Sequence, residues 1–168
     1  AIAKKEPHDV IHCHDWMTYE AGIQAKKISK KPLVVHMHAT EFDRTGGNGV
    51  NQTVYNTERK GLHAADAICA VSNYTKNKIV EHYGVDPDKI HVVHNAVEFN
   101  DNEFEKESFG IKRDSKVVLF LGRITLQKGP DYFLEAAKRV LEVEPDAKFV
   151  VAGSGDMGQD MIEKSAKM

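Results

Sequence analysis

Arg123 and Lys128 stand five residues apart in the stretch Phe120 to Pro130, which reads Phe-Leu-Gly-Arg-Ile-Thr-Leu-Gln-Lys-Gly-Pro. A guanidinium offers a rigid fork of donors and an ammonium a mobile point charge, a pair suited to sharing several phosphate oxygens. The apolar run Val117 to Leu121 before them reads as a strand, Gly122 to Gly129 as a loop, and Pro130 as the first residue of a helix. A helix start adds free backbone N–H groups and the positive end of the helix dipole. The implied chemistry is anion binding, most simply of a diphosphate. The plain alternative is a pair of solvated loop cations.

A second set of polar residues lies earlier. Asp9 to His14 ends in His12-Cys13-His14 and runs straight into Asp15-Trp16, while Leu33 to His38 ends in His36-Met37-His38 and leads to Glu41 and Arg44. Two His-x-His pairs invite a zinc reading, because imidazoles are common zinc ligands. Against it, no Cys or carboxylate sits at a familiar spacing for a third ligand, so no metal is expected. Asp15 also suits the N-cap of the following helix, with Trp16 in the core. The alternative for His38 is a structural histidine at a strand end.

The elements that position these groups alternate. Met17, Ala21, Gln24, Ala25 and Ile28 recur at helical spacing and predict a helix face against a sheet, with Pro32 as the stop. Thr45 to Gly49 is a glycine-dense loop that a ligand could order. A helix from about Asn51 to His63, a strand at Ala67 to Val71, and a helix capped by Ser72 and ended by Gly84 follow. That last helix carries Tyr74, Ile79, Val80 and Tyr83, and Ile90 to His94 comes after it. Beyond Pro130, a helix to about Glu144 places Phe133, Leu134, Ala137, Val140 and Leu141 on one face. Ala147 to Ala152 is a further strand, and Gly153-Ser154-Gly155-Asp156 opens a last helix carrying Met157, Met161 and Ile162. Strands alternating with helices predict parallel, Rossmann-like βα units, an α/β fold of about five strands. Residues 98–115, acidic and polar with Phe99, Phe104 and Phe109 spaced through them, read as a crossing between a unit at 1–97 and another at 116–168.

At 168 residues and 41% hydrophobic, the chain can bury a real core. A formal net charge of −2 gives no electrostatic case for nucleic acid or a membrane surface. Cys13 and Cys69 both lie in apolar runs and read as buried free thiols of a reducing, cytoplasmic compartment. No window approaches the ~20 apolar residues of a membrane span. The chain starts at Ala1 rather than Met, which hints at a piece of something longer.

Five motifs together carry a resemblance: His12-x-His14-Asp15-Trp16; Val35-His36-x-His38 followed by Thr40-Glu41 and Arg44; Ala65-Asp66 with Ala70-Val71-Ser72; Lys89-Ile90-x-Val92-Val93-x-Asn95; and Gly122-Arg123 to Lys128-Gly129. In this order the chain resembles the family 4, or group 1, retaining GT-B glycosyltransferases, such as bacterial and archaeal glycogen synthases. The resemblance implies two Rossmann-like domains facing across a cleft, with a nucleotide-sugar donor held mainly by the second. It also implies that the chain covers only the middle of such an enzyme. The Gly-rich loop expected before it, and the Glu-containing motif expected to grip the donor sugar after it, are not in the sequence.

On that resemblance Arg123 and Lys128 hold the donor's diphosphate. Asp15 and His38 act beside the sugar, with Asp15 able to orient a hydroxyl and Trp16 to offer an apolar face to a pyranose ring. His14, Glu41, Arg44, Gly122, Gly129, Gly153 and Gly155 are possible sugar or donor contacts; Gly153 and Gly155 read alternatively as a tight turn. The expected activity is transfer of a sugar from a nucleotide donor to a saccharide or other acceptor hydroxyl with retention. No cofactor is needed beyond the nucleotide sugar as substrate. Isolated, such a piece is expected to have little activity, and either to pack its halves into one continuous sheet or to pair with another chain. A non-catalytic nucleotide- or sugar-binding module and a His-x-His metal hydrolase are the other classes; nucleotide titration beside a turnover assay, and elemental analysis for zinc, discriminate them.

Overall fold

Parallel neighbours need a crossover, and the sequence supplies helical segments between successive strands. The computed structural model describes residues 2–98 and 115–168, which form two compact units. The first runs α1 (Ile2–Lys5), β1 (Ile11–His14), α2 (Trp16–Ser29), β2 (Leu33–Met37), α3 (Glu41–Arg44), α4 (Gln52–Ala64), β3 (Ala67–Ala70), α5 (Asn73–Tyr83) and β4 (Ile90–Val92). Its four strands are parallel and lie in the order β1-β2-β3-β4. In the second, β5 (Val117–Leu121) pairs in parallel with β6 (Lys148–Ala152), α6 (Pro130–Leu141) connects them and α7 (Gly158–Ala166) follows.

The fold is thus α/β with parallel sheets; the described residues hold six strands, close to the five or so expected, four in one sheet and two in another. Among the described residues β5 and β6 form a sheet of their own. At three residues, β4 offers the short edge on which sheets commonly stop. The crossing expected at 98–115 falls almost wholly outside the described residues.

Strand alternation and register sort the first sheet into two faces. One carries Cys13, Leu33, Val35, Met37, Ile68, Ala70 and Ile90, all buried, and receives α2, α4 and α5. The other carries His12, His14, Val34, His36, Cys69 and His91, since His14 aligns with His36, His36 with Cys69, and Cys69 with His91. The face that α2 packs is not the one expected: Tyr19, Gly22 and Ile23 are buried, whereas Met17 is 73% exposed. Close approach decides this. A Cβ at Gly22 would come within 2.3 Å of Cys13 Sγ, and one at Gly61 of α4 within 2.3 Å of the Tyr19 ring, so bare backbone at both positions seats α2 against β1 and α4. Pro32 lies two residues past the C-cap of α2, where a proline cannot continue a helix. The helix ends at Ser29 with Lys30 in the left-handed conformation at φ 61°. In α5, Ile79 and Tyr83 are buried as spaced, while Tyr74 is exposed.

Several motif residues serve the fold. Asp66 accepts from the Leu33 N–H at 2.7 Å and pairs with Lys26 at 2.8 Å, tying the start of β2 to α2; the Lys26 ammonium is the first cause that holds its carboxyl below the usual range. Lys89 donates to the Ala65 carbonyl. Ser72 caps α5 by accepting from the Thr75 N–H, Gly84 closes it at φ 64°, and Pro130 begins α6.

In the second unit the two strands continue as touching loops: Gly122 N–H donates to Ala152 O at 3.0 Å and Ile124 N–H to Ser154 O at 2.9 Å. A Cβ at Gly153 would lie 1.8 Å from the Gly122 carbonyl oxygen, and Gly153 adopts φ 149°. Gly153→Ala is therefore expected to cost about 3 kcal/mol, at the upper end for overpacking because backbone rather than a side chain must move. Chemical denaturation followed by circular dichroism checks it; a cost below about 1 kcal/mol would refute the close-approach reading.

Candidate functional site

The carboxyl ends of β1 and β2 bring four imidazoles together. His12 and His14 share a face of β1, and His36 and His38 follow the same two-residue period on and just past β2. The rings form a layered group: centroids are 4.4 Å apart for His12 and His14, 4.9 Å for His14 and His36, and 4.4 Å for His36 and His38. His14 Nδ1 and His38 Nε2 are hydrogen-bonded at 3.0 Å. Burial first, then the neighbouring His38, His14 and His12, push the His36 imidazole below its ordinary pKa; burial first, then His14 and His38, do the same to His12. Both favour the neutral ring.

Asp15 fastens this end of the sheet. Its carboxylate Oδ1 accepts from the His38 backbone N–H at 2.9 Å, and its own N–H donates to the His36 carbonyl at 2.9 Å. It precedes α2 but its side chain makes no cap bond to that helix. It also holds φ 55°, ψ 167°, a region that glycine favours and that costs a non-glycine residue about 1–3 kcal/mol. Two bonds to β2 and the acceptance of Thr18 at the Asp15 carbonyl hold it there. Trp16 is half-buried against the core. Asp15→Ala removes a charged acceptor worth about 1.5–3 kcal/mol, so exchange of the His38 amide is expected to quicken about 10–100-fold; unchanged exchange by NMR would contradict this role.

Glu41 and Arg44 face inward. Thr40 and Asp43 form a capping box that starts α3, which carries both. Glu41 is buried; its Oε2 accepts from Arg44 Nε at 3.1 Å and its Oε1 from the Asn51 N–H at 3.0 Å. Arg44 also bonds Glu58 on α4 and the Ala39 carbonyl. Glu58 is fully buried and additionally accepts from the Tyr83 hydroxyl and the Glu41 N–H. Burial is the largest influence on Glu58 and raises its pKa despite these donors.

In the second unit Arg123 and Lys128 are both exposed. The guanidinium of Arg123 donates to Gln127 Oε1 at 3.4 Å, a long contact that leaves most of the fork free among the described residues. Leu126–Lys128 form a 3₁₀ turn, and Gly129, at φ 62°, starts α6 with no side-chain cap bond among the described residues. An apolar cavity of about 910 Å³ lies between α6, α7 and β6, lined by Ile124, Phe133, Leu141, Phe149 and Met161; neither cation lines it. A Cβ at Gly153 or Gly155 would meet the Gly122 or Ile124 backbone, and both glycines line this cavity.

Residues 1–101 match the family profile described as Glycosyltransferase Family 4, and residues 101–168 that of Glycosyl transferases group 1. The chain belongs to the family 4, group 1 glycosyltransferases. An uncharacterized glycosyltransferase of Methanocaldococcus jannaschii is 36% identical over 94% of the chain and 43% of its own length. The UDP-Gal:alpha-D-GlcNAc-diphosphoundecaprenol alpha-1,3-galactosyltransferase of Escherichia coli is 31% identical over 95% of the chain and 44% of its own. The crystal structure of Anabaena HepE in complex with UDP superposes with a TM-score of 0.73 at 18% identity, over 99% of this chain and 45% of that one, a likeness of GT-B fold. The chain spans a little under half the length of the curated relatives it matches.

Within this family 4 chain, the structure brings His14, Asp15 and His38 together at one strand end, places Arg123, Lys128, Gly122 and Gly129 on one loop, and directs Glu41 and Arg44 into the core. Sequence reasoning missed Glu58. Its signal was present: Val54, Glu58, Gly61 and Leu62 share one helical stripe and are all buried, so a carboxylate there needs an internal partner. Among the described residues, no helix is long and apolar enough to cross a membrane.

Proposed function

We propose that this protein acts in transfer of a sugar from a nucleotide-sugar donor to an acceptor hydroxyl with retention, Arg123 and Lys128 holding the donor's diphosphate. The observation that carries the reading is the loop Gly122 to Gly129: two exposed cations and, on the same short segment, a helix start with no side-chain cap bond among the described residues. As the sugar departs it gains oxocarbenium character and the nucleoside diphosphate gains negative charge. Fixed cations there favour the transition state over the ground state. Asp15 and His38 are the groups we assign to the sugar: the carboxylate fixes the backbone of His38, and the imidazole offers a nitrogen to a hydroxyl. Membership of the family and the crystal structures of Anabaena HepE in complex with UDP, and with UDP and glucose, support a nucleotide donor.

The test is calorimetric titration with UDP. Saturable binding of one nucleotide per chain is expected, and absence of heat up to millimolar UDP would overturn the reading. UDP release from UDP-sugars, measured alongside, separates a transferase from a module that only binds.

A further inference from the structure

The histidine layer holds more than a sugar site needs. His36 is 9% exposed, and among the described residues neither of its ring nitrogens has a hydrogen-bond partner. Buried polar groups are nearly always satisfied, and one that is not calls for an ion, a water or strain. Its neighbours offer ligands for the first of these. One nitrogen each from His12, His14 and His36 lie within 4.8 Å of one another. Sequence spacing alone offers only two ligands from each His-x-His pair, whereas the β1–β2 register sets His36 directly beside His14 and so provides the third.

We propose that His12, His14 and His36 bind a single zinc(II) ion on the open face of the first sheet. Zinc–nitrogen bonds of ~2.0–2.1 Å in tetrahedral array place ligand nitrogens about 3.4 Å apart, so the rings need to draw together by at most about 1.4 Å, within reach of side-chain rotation. His14 has a nitrogen to spare for His38: the 3.0 Å bond between His14 Nδ1 and His38 Nε2 leaves Nε2 of His14 for the metal. Such outer partners orient metal-bound imidazoles and raise their basicity. Three nitrogens leave a fourth position open to water or to a donor atom of a ligand. Two of the rings are exposed, so the ion has a path in. Imidazole nitrogens also select zinc over magnesium and calcium, which prefer oxygen.

The test uses the full chain, which carries nine histidines, and zinc sulfate as the probe. Calorimetry is expected to give one zinc per chain and no heat with magnesium. His12→Gln removes an exposed ligand that makes no hydrogen bond among those described, and is expected to weaken zinc at least about 100-fold, more than the 10–100-fold typical of losing an outer partner. His91→Gln, on the same face two strands away, is expected to leave the affinity within about twofold. Cobalt(II) provides a second readout: a visible spectrum of tetrahedral nitrogen coordination in the wild type that is lost in His12→Gln. His14→Gln carries the same test if His12→Gln does not fold. No zinc uptake by the wild type, or equal affinity in the wild type and the folded ligand variant, overturns the proposal. Neither outcome bears on UDP binding, so this site stands or falls separately from the transferase reading.

Discussion

Arg44→Met is expected to destabilise the first unit by about 3–5 kcal/mol at neutral pH, the cost of leaving buried charge without its partner. Arg44 is the cation between two carboxylates whose side chains are 6% exposed in Glu41 and 0% in Glu58. Methionine keeps most of the buried stem but leaves Glu41 and Glu58 to face each other. The pH dependence gives the mechanism its signature. Burial raises the Glu58 pKa in the folded protein above its unfolded value even with Arg44 beside it. The folded state therefore binds the proton more readily, and the contribution from this group is full below the unfolded value and lost as pH rises through the folded one. Removing Arg44 takes away an influence that lowers Glu58, so its pKa rises further and the loss of stability on raising the pH becomes larger. Urea denaturation at acidic and neutral pH is expected to show a difference between variant and wild type that shrinks toward acid. A difference below about 1 kcal/mol, or one that does not change with pH, would show that the cluster does not hold the unit together.

What the sequence made legible follows from what is local. The strand–helix alternation, the cap at Ser72, the left-handed stop at Gly84 and the proline opening α6 each depend on a few neighbouring residues, and each is present. The face of α2 was not legible, because it is set by how closely backbone can approach at Gly22 and Gly61, a property of residues without side chains that hydropathy ignores. Asp15 illustrates the same limit at the site. Its sequence context suits an N-cap, yet its carboxylate goes to His38, 23 residues away, because the β1–β2 pairing puts that N–H nearer. Glu41 and Arg44 stand three apart on one short helix and, on the family resemblance, read as possible sugar or donor contacts. Only the position of Glu58, brought in by α4, makes them an internal network. The division into two units was legible in the acidic, polar composition of residues 98–115, which separates the strands of the first sheet from β5 and β6. The candidate donor loop was readable early because its cations, glycines and helix start lie within nine residues of one another, from Gly122 to Pro130.

Donor binding in the proposed function depends most on that loop. Arg123→Ala removes the one planar fork from the site and leaves Lys128 and the N–H groups at the start of α6. Charge-assisted hydrogen bonds to phosphate contribute about 1.5–3 kcal/mol each, so UDP affinity is expected to fall about 10–150-fold. Because Arg123 is exposed, the fall belongs to the bound state rather than to the fold, and thermal stability without nucleotide is expected to stay within about 0.5 kcal/mol of the wild type. Added salt, which screens exposed charges over about 10 Å at 0.1 M, should weaken wild-type binding more than binding to the variant. Calorimetric titration of UDP into wild type and Arg123→Ala, at two salt concentrations, is the most direct measurement. The account predicts one saturable site that the substitution weakens at least tenfold and that salt weakens chiefly in the wild type; equal affinity in the two proteins would contradict it.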